Sequence, residues 1–223
     1  MSVSTNTSAG PKSRARSQPA LAVLFNVPNQ LTALRFVLSI VLFVIIEQRH
    51  FLAAMYVFIV AAGKYWLDGY WARKYGQVTT LGRIFDPFVD KIIICGTFIY
   101  LAAIPGSGLV AWMAVVVVGR EMLVTALRGY IEQQGGDFSA SMAGKLKMVF
   151  QCAAAALSLY SLTWPTPTPA PAYGPFWSLL PVEVWGRPEW LVWTLGGAVW
   201  LAVLSTVYSG VGYIFAAVRM LRR

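Results

Sequence analysis

The sequence predicts an all-α integral membrane protein of about six transmembrane helices, on three observations. Of its 223 residues, 57% are hydrophobic and only 12% charged, about half the charged share of an ordinary soluble domain. Apolar stretches approaching the roughly 20 residues that a spanning helix needs recur six times. The charged residues gather at the ends of these stretches and do not line one soluble face.

The predicted spans, in order, are Leu31–Ile46, Phe51–Leu67, Phe88–Ile104, Leu109–Leu127, Met148–Trp164 and Trp190–Phe215. They use most of the chain, so residues 23–223 read as one six-helix transmembrane domain. Residues 1–22 are rich in Ser, Thr, Pro and Arg without periodicity, and no cleavage pattern follows them. They read as a disordered cytoplasmic tail. Between the fifth and sixth spans, Trp164 to Pro188 carries Thr-Pro and Ala-Pro repeats that prevent continuous helix, because proline lacks a backbone donor. This is the expected extracytoplasmic loop, with Trp177, Trp185 and Trp190 at the interface. Cys95 and Cys152 lie in apolar spans without metal-ligand spacing and read as packing residues, with no disulfide.

The formal charge of +9 could indicate nucleic acid, but its placement indicates a bilayer, and no nucleic-acid partner is expected. With Lys12, Arg14 and Arg16 of the tail in the cytoplasm, Arg73, Lys74, Arg83, Lys91, Arg128, Lys145, Lys147, Arg219, Arg222 and Arg223 share that side. Only Arg49 and Arg187 then fall in opposite loops. The positive-inside rule therefore places both termini in the cytoplasm.

Charge within a spanning segment costs roughly 2.5–3.5 kcal/mol at the bilayer centre, so the concentration of charge between Lys64 and Lys91 needs a reason. At helical spacing Asp86 and Asp90 are one turn apart on one face. Asp68, at the end of the second span, could add a third carboxylate, and such oxygen-rich sites suit hard divalent cations such as Mg²⁺ or Mn²⁺. Gly69 and Ala72 remove bulk beside Asp68 and let a ligand approach the backbone. Arg73 offers a planar donor fork for a diphosphate. Plainer readings accompany each piece: Asp86 before Pro87 fits a helix N-cap, Arg73 and Lys74 fit interface anchors, and Gly with Ala fits a packing face. The combination within so short a stretch favours the ligand site.

These residues resemble the signature of the CDP-alcohol phosphotransferase family, D-x2-D-G-x2-A-R-x8-G-x3-D-x3-D. Asp68, Gly69, Ala72, Arg73, Gly82, Asp86 and Asp90 match it in identity and spacing, while Tyr65 holds the place of its first Asp. Within that family the flanks are similar to bacterial enzymes that make phosphatidylglycerol phosphate. The likeness lies in Asn26–Arg35, in Arg120-Glu121 to Leu127-Arg128, and in Ser141–Lys147. It runs from about Phe25 to the C-terminus, leaving out the Pro-rich loop.

The resemblance implies the CDP-alcohol phosphotransferase fold, commonly as a homodimer, in a bacterial cytoplasmic membrane. It implies transfer of a phosphatidyl group from CDP-diacylglycerol to glycerol 3-phosphate, with release of CMP. Asp68, Asp86 and Asp90 would ligate two divalent ions, Mg²⁺ or Mn²⁺, and Asp90 would also be the general base. Gly69, Ala72, Arg73 and Thr79 would border the CDP group, with Asn29 and Thr32 closing over it. Arg120, Lys145 and Arg128 are candidates for the acceptor phosphate, on charge and location.

Two departures remove acid from that pattern. Tyr65 is a neutral phenol near pH 7 with Lys64 beside it, and Gly212 stands where relatives of this type usually carry an acid. A low-activity or inactive CDP-lipid-binding variant is therefore one alternative, and a related transferase with another acceptor is a second. A transporter is a third, disfavoured because the charges lie at one membrane face.

Overall fold

The computed structural model describes residues 27–75, 80–133, 142–165 and 187–221, with side chains over 33–63, 88–131, 133, 142–165 and 187–220 apart from 143. Among these residues all regular structure is helical. Six helices follow one another: α1 Val27–Glu47, α2 Phe51–Tyr75, α3 Thr80–Ala103, α4 Ala111–Gln133, α5 Met142–Ser161 and α6 Glu189–Leu221.

Each helix contains the larger part of one expected span, and the differences are directional. α1, α3 and α5 begin before the apolar stretch, whereas α2, α4 and α6 continue past it. Hydropathy marks where side chains turn polar, while the intrahelical hydrogen bonds of α-helix run on through polar residues. Because consecutive helices reverse direction, all these polar extensions lie at the same end of the bundle. By length and composition alone, α6 meets the criterion for a membrane span, over Glu189–Met220, and Phe51–Gly63 is a shorter apolar helix.

One plain reading of the sequence fails here. α3 starts at Thr80, so Asp86 and Pro87 lie in its second turn and Asp86 is not its N-cap. Pro87 has no N–H, which leaves the Arg83 carbonyl without its usual backbone donor inside α3.

All six helices feed one apolar core, including Leu42 and Ile46 of α1, Phe58 of α2, Ile93 and Phe98 of α3, Met113 and Val117 of α4, Leu159 of α5, and Leu195 and Val199 of α6. Each helix also turns large apolar side chains outward, among them Val37, Val60, Ile99, Val115, Val149 and Trp193. Such a girdle is a liability in water and matches a hydrocarbon solvent. Cys95 is buried, Cys152 half-buried, and both are free thiols.

α1 and α3 approach closely at Gly96, where a Cβ would lie 2.2 Å from Cζ of Phe43. The Phe43 ring is held there by stacking on Tyr100 at 5.2 Å between centroids. At the apolar-rich end, the α3–α4 turn places Gly108 at φ +80° against Leu195. Buried Arg187 ties three pieces of chain together, donating from Nη1 to the Gly106 carbonyl at 2.7 Å and to Ser161 Oγ at 2.8 Å. Mid-bundle, Gln151 Nε2 donates to Thr206 Oγ1 at 2.9 Å and joins α5 to α6.

Candidate functional site at the polar end of the bundle

The alternation of helix direction brings the N-terminal turns of α1, α3 and α5 together with the C-terminal turns of α4 and α6. α2 ends at Tyr75 and α3 begins at Thr80, so the two halves of the charged stretch flank one short connection. Asp90 lies in the third turn of α3, half-buried, and its Oδ1 accepts from Arg35 Nη1 of α1 at 3.0 Å. The Arg35 side chain is 8% exposed and that of Asp90 20%, so this pair sits at the boundary between core and surface.

The neighbouring Lys91 reaches toward α4. There Glu121, 1% exposed, gathers three cations from three helices: Lys91 of α3, Lys147 of α5 and the adjacent Arg120. A carboxylate buried this deeply is tolerated only when paired and hydrogen-bonded. Arg120 also donates to Ser209 Oγ of α6, and its guanidinium lies 5.3 Å from the Tyr213 ring centroid, within cation–π range. Arg128 Nη2 donates to the Tyr213 hydroxyl at 3.5 Å. The Nε atoms of Arg120 and Arg128 are buried without a hydrogen-bond partner.

Among the described side chains of this cluster, cations outnumber carboxylates: Arg35, Lys91, Arg120, Arg128 and Lys147 face only Asp90 and Glu121. Surplus positive charge in a partly desolvated setting attracts an anion strongly. The unpartnered Nε donors of Arg120 and Arg128 add hydrogen-bonding capacity to that charge.

Of the residues singled out from the sequence, the structure brings Asp90, Arg120 and Arg128 into this cluster. Lys145 is exposed on α5, whereas Lys147 is buried. Asn29 and Thr32 lie in the first turns of α1, Asp68, Gly69, Ala72 and Arg73 in the last turns of α2, and Asp86 on α3. The side chains of those seven, like those of Lys64 and Tyr65, fall outside the described residues, as does Thr79 altogether. Gly212 is exposed on α6, immediately before buried Tyr213.

Arg35, Lys91, Glu121, Lys147, Ser209 and Tyr213 were given no site role from the sequence. For Lys147 a signal was present, since Lys147, Gln151, Ala154 and Ser158 follow i, i+4, i+7, i+11 and all are buried. Lys145 falls off that stripe. Glu121 is likewise a lone carboxylate deep in an apolar segment, and such a group demands a partner.

A divalent cation fits the donor chemistry at this end. Asp86 and Asp90 stand one turn apart on α3, and carboxylate oxygens are the ligands that Mg²⁺ and Mn²⁺ prefer. Asp90 keeps part of its side chain exposed. Among the described residues no three potential metal ligands converge, and the side chains of Asp68 and Asp86 lie outside them.

The chain is similar to several known proteins. The CDP-alcohol phosphatidyltransferase family matches residues 25–207. A CDP-diacylglycerol–glycerol-3-phosphate 3-phosphatidyltransferase of Bacillus subtilis is 33% identical over 207 residues, covering 85% of this chain and 94% of the relative. Proteins of the same name from Pectobacterium atrosepticum, at 28% over 86% of this chain and 95% of theirs, and from Escherichia coli K12, at 31% over 61% and 78%, are also similar. The family is membrane-bound and generally depends on divalent metal. Matched over most of its length and carrying the acidic helix pair beside a buried cationic cluster, the chain belongs to the CDP-alcohol phosphatidyltransferase family.

Proposed function

We propose that this protein transfers the phosphatidyl group of CDP-diacylglycerol to glycerol 3-phosphate, giving phosphatidylglycerol phosphate and CMP. The observation that carries this reading is the buried cationic cluster beside Asp90, one of the signature carboxylates. The names of the similar bacterial proteins support the same donor and acceptor.

In this reading the acceptor phosphate rests among Arg120, Arg128 and Lys145, with buried Lys147 adding its charge from below, which directs the acceptor hydroxyl toward Asp90. Asp90 takes the hydroxyl proton as the acceptor oxygen forms a bond to the lipid-side phosphorus. The bond from that phosphorus to the bridging diphosphate oxygen breaks, and CMP leaves with the electron pair. Asp68, Asp86 and Asp90 would hold two Mg²⁺ or Mn²⁺ ions, which when bound neutralise charge on the diphosphate. Gly69, Ala72, Arg73 and Thr79 border the CDP group, with Asn29 and Thr32 over it. The acyl chains stay in the bilayer, beside the outward apolar girdle.

Residues 23–223 form the catalytic domain, crossing a bacterial cytoplasmic membrane six times with both termini inside, and residues 1–22 are a cytoplasmic tail. The protein works as a homodimer. Tyr65 at the place of the first signature Asp favours a second reading, a CDP-lipid-binding variant of low or no turnover, because a phenol is a poor metal ligand at neutral pH.

Acceptor competition tests the assignment. Purified protein given CDP-diacylglycerol and equal amounts of glycerol 3-phosphate, inositol phosphate, serine and phosphatidylglycerol is expected to yield phosphatidylglycerol phosphate as its main lipid product. A main product from one of the other acceptors reassigns the substrate.

A further inference from the structure

The most heavily engaged carboxylate in the described structure is one to which the reaction above gives no role. Glu121 lies 1% exposed in the middle of α4 and receives Lys91 from α3, Lys147 from α5 and Arg120 from its own helix. Packing alone does not call for it, since apolar residues of similar volume usually serve a buried site as well as an ion pair does. What Glu121 accomplishes is geometric. Three cations that share one carboxylate are held within a few ångströms of one another, an arrangement that their mutual repulsion would otherwise open.

Charge matching indicates what the arrangement is for. Lys91, Lys147 and Arg120, with Arg128 on the same Tyr213, outnumber Glu121, so the group carries surplus positive charge. A phosphate monoester carries close to two negative charges near pH 7. Arg120 is further oriented by Ser209 and by the Tyr213 face, so its free Nε sits on a guanidinium fixed from two sides.

We infer that Glu121 is a positioning residue for the acceptor: it draws lysines from α3 and α5 and the arginine of α4 into one phosphate-binding cradle, and thereby sets the affinity for the phosphate monoester of the acceptor. The inference rests on the acceptor-site reading given above. It also accounts for specificity, because a neutral acceptor such as serine leaves the surplus charge of the cradle unmatched.

The test is steady-state kinetics of full-length Glu121→Gln, Glu121→Asp, Lys147→Met and Glu121→Gln/Lys147→Met, with inorganic phosphate as a competing probe and Arg120→Met as a control for the site. For Glu121→Gln, KM for glycerol 3-phosphate and Ki for phosphate are expected to rise about tenfold or more, as for loss of a coupled charged contact, while KM for CDP-diacylglycerol stays within about twofold. Glu121→Asp keeps the charge but withdraws it by one methylene, so it moves the same constants in the same direction by less, and it serves if the Gln variant does not fold. In the double variant the increase is smaller than the product of the two single effects, because Glu121 acts partly through Lys147.

A fall in kcat with both KM values unchanged makes Glu121 structural only and overturns the inference. So does independent multiplication of the Glu121 and Lys147 effects. If Arg120→Met raises KM for glycerol 3-phosphate and both Glu121 variants leave it unchanged, the positioning role fails and the acceptor site stands. If none of these variants changes it, the acceptor site itself is misplaced.

Discussion

Replacing Asp90 by Asn is expected to lower CMP release by about two to four orders of magnitude, the range that a positioned general base contributes. Asn preserves the volume and one acceptor oxygen, so the bond from Arg35 across α1 and α3 keeps a partner. The negative charge, which takes the proton and favours a bound cation, is lost. The control is stability: removing one partner of a buried ion pair costs about 3–5 kcal/mol, and Asp90 is partly exposed, so its cost should be smaller. CMP release under single-turnover conditions, measured with the unfolding midpoint, separates the two effects. Lost turnover at a nearly unchanged midpoint places Asp90 in the chemistry. Turnover that follows the midpoint down places it in the scaffold.

Arg120→Met is expected to raise KM for glycerol 3-phosphate by about 10- to 100-fold, with KM for CDP-diacylglycerol little changed. A hydrogen bond to a charged partner contributes about 1.5–3 kcal/mol, and each 1.4 kcal/mol corresponds to about a tenfold change in affinity. Met retains the aliphatic reach of arginine and its contact with the Tyr213 ring. Glu121 remains paired with Lys91 and Lys147, so no buried charge is abandoned. Initial rates over an acceptor titration at saturating lipid check this. An equal rise in both KM values would instead indicate a general loosening where α4 meets α6.

The helices were legible because each apolar segment declares itself through length and apolarity, as Phe51–Leu67 does for α2 and Trp190–Phe215 for α6. Their polar ends were not, since hydropathy falls where Thr80–Pro87 continues as helix. The acidic motif was legible from spacing within one helix, where Asp86 and Asp90 need only a period to be placed together. The cationic cluster depends on contacts between helices. Lys91, Glu121 and Lys147 are far apart in sequence, and their meeting is set by how α3, α4 and α5 rotate against one another. Charge and location drew attention to Lys145, whereas the helical stripe through Gln151 and Ser158 turns Lys147 inward. The periodicity of α5 thus shows which lysine is buried, which charge alone does not.

The central claim is that this chain itself transfers a phosphatidyl group, with Tyr65 where the signature carries an acid. The most direct measurement is CMP release from CDP-diacylglycerol by the purified protein, with and without glycerol 3-phosphate, across a Mg²⁺ and Mn²⁺ titration, with Tyr65→Asp in parallel. Release is expected only when both glycerol 3-phosphate and a divalent ion are present, with Tyr65→Asp half-saturating at lower metal concentration because it adds a carboxylate ligand. Release that ignores glycerol 3-phosphate, or release by Tyr65→Asp alone, contradicts the claim, and the second result would identify the native chain as a CDP-lipid-binding variant.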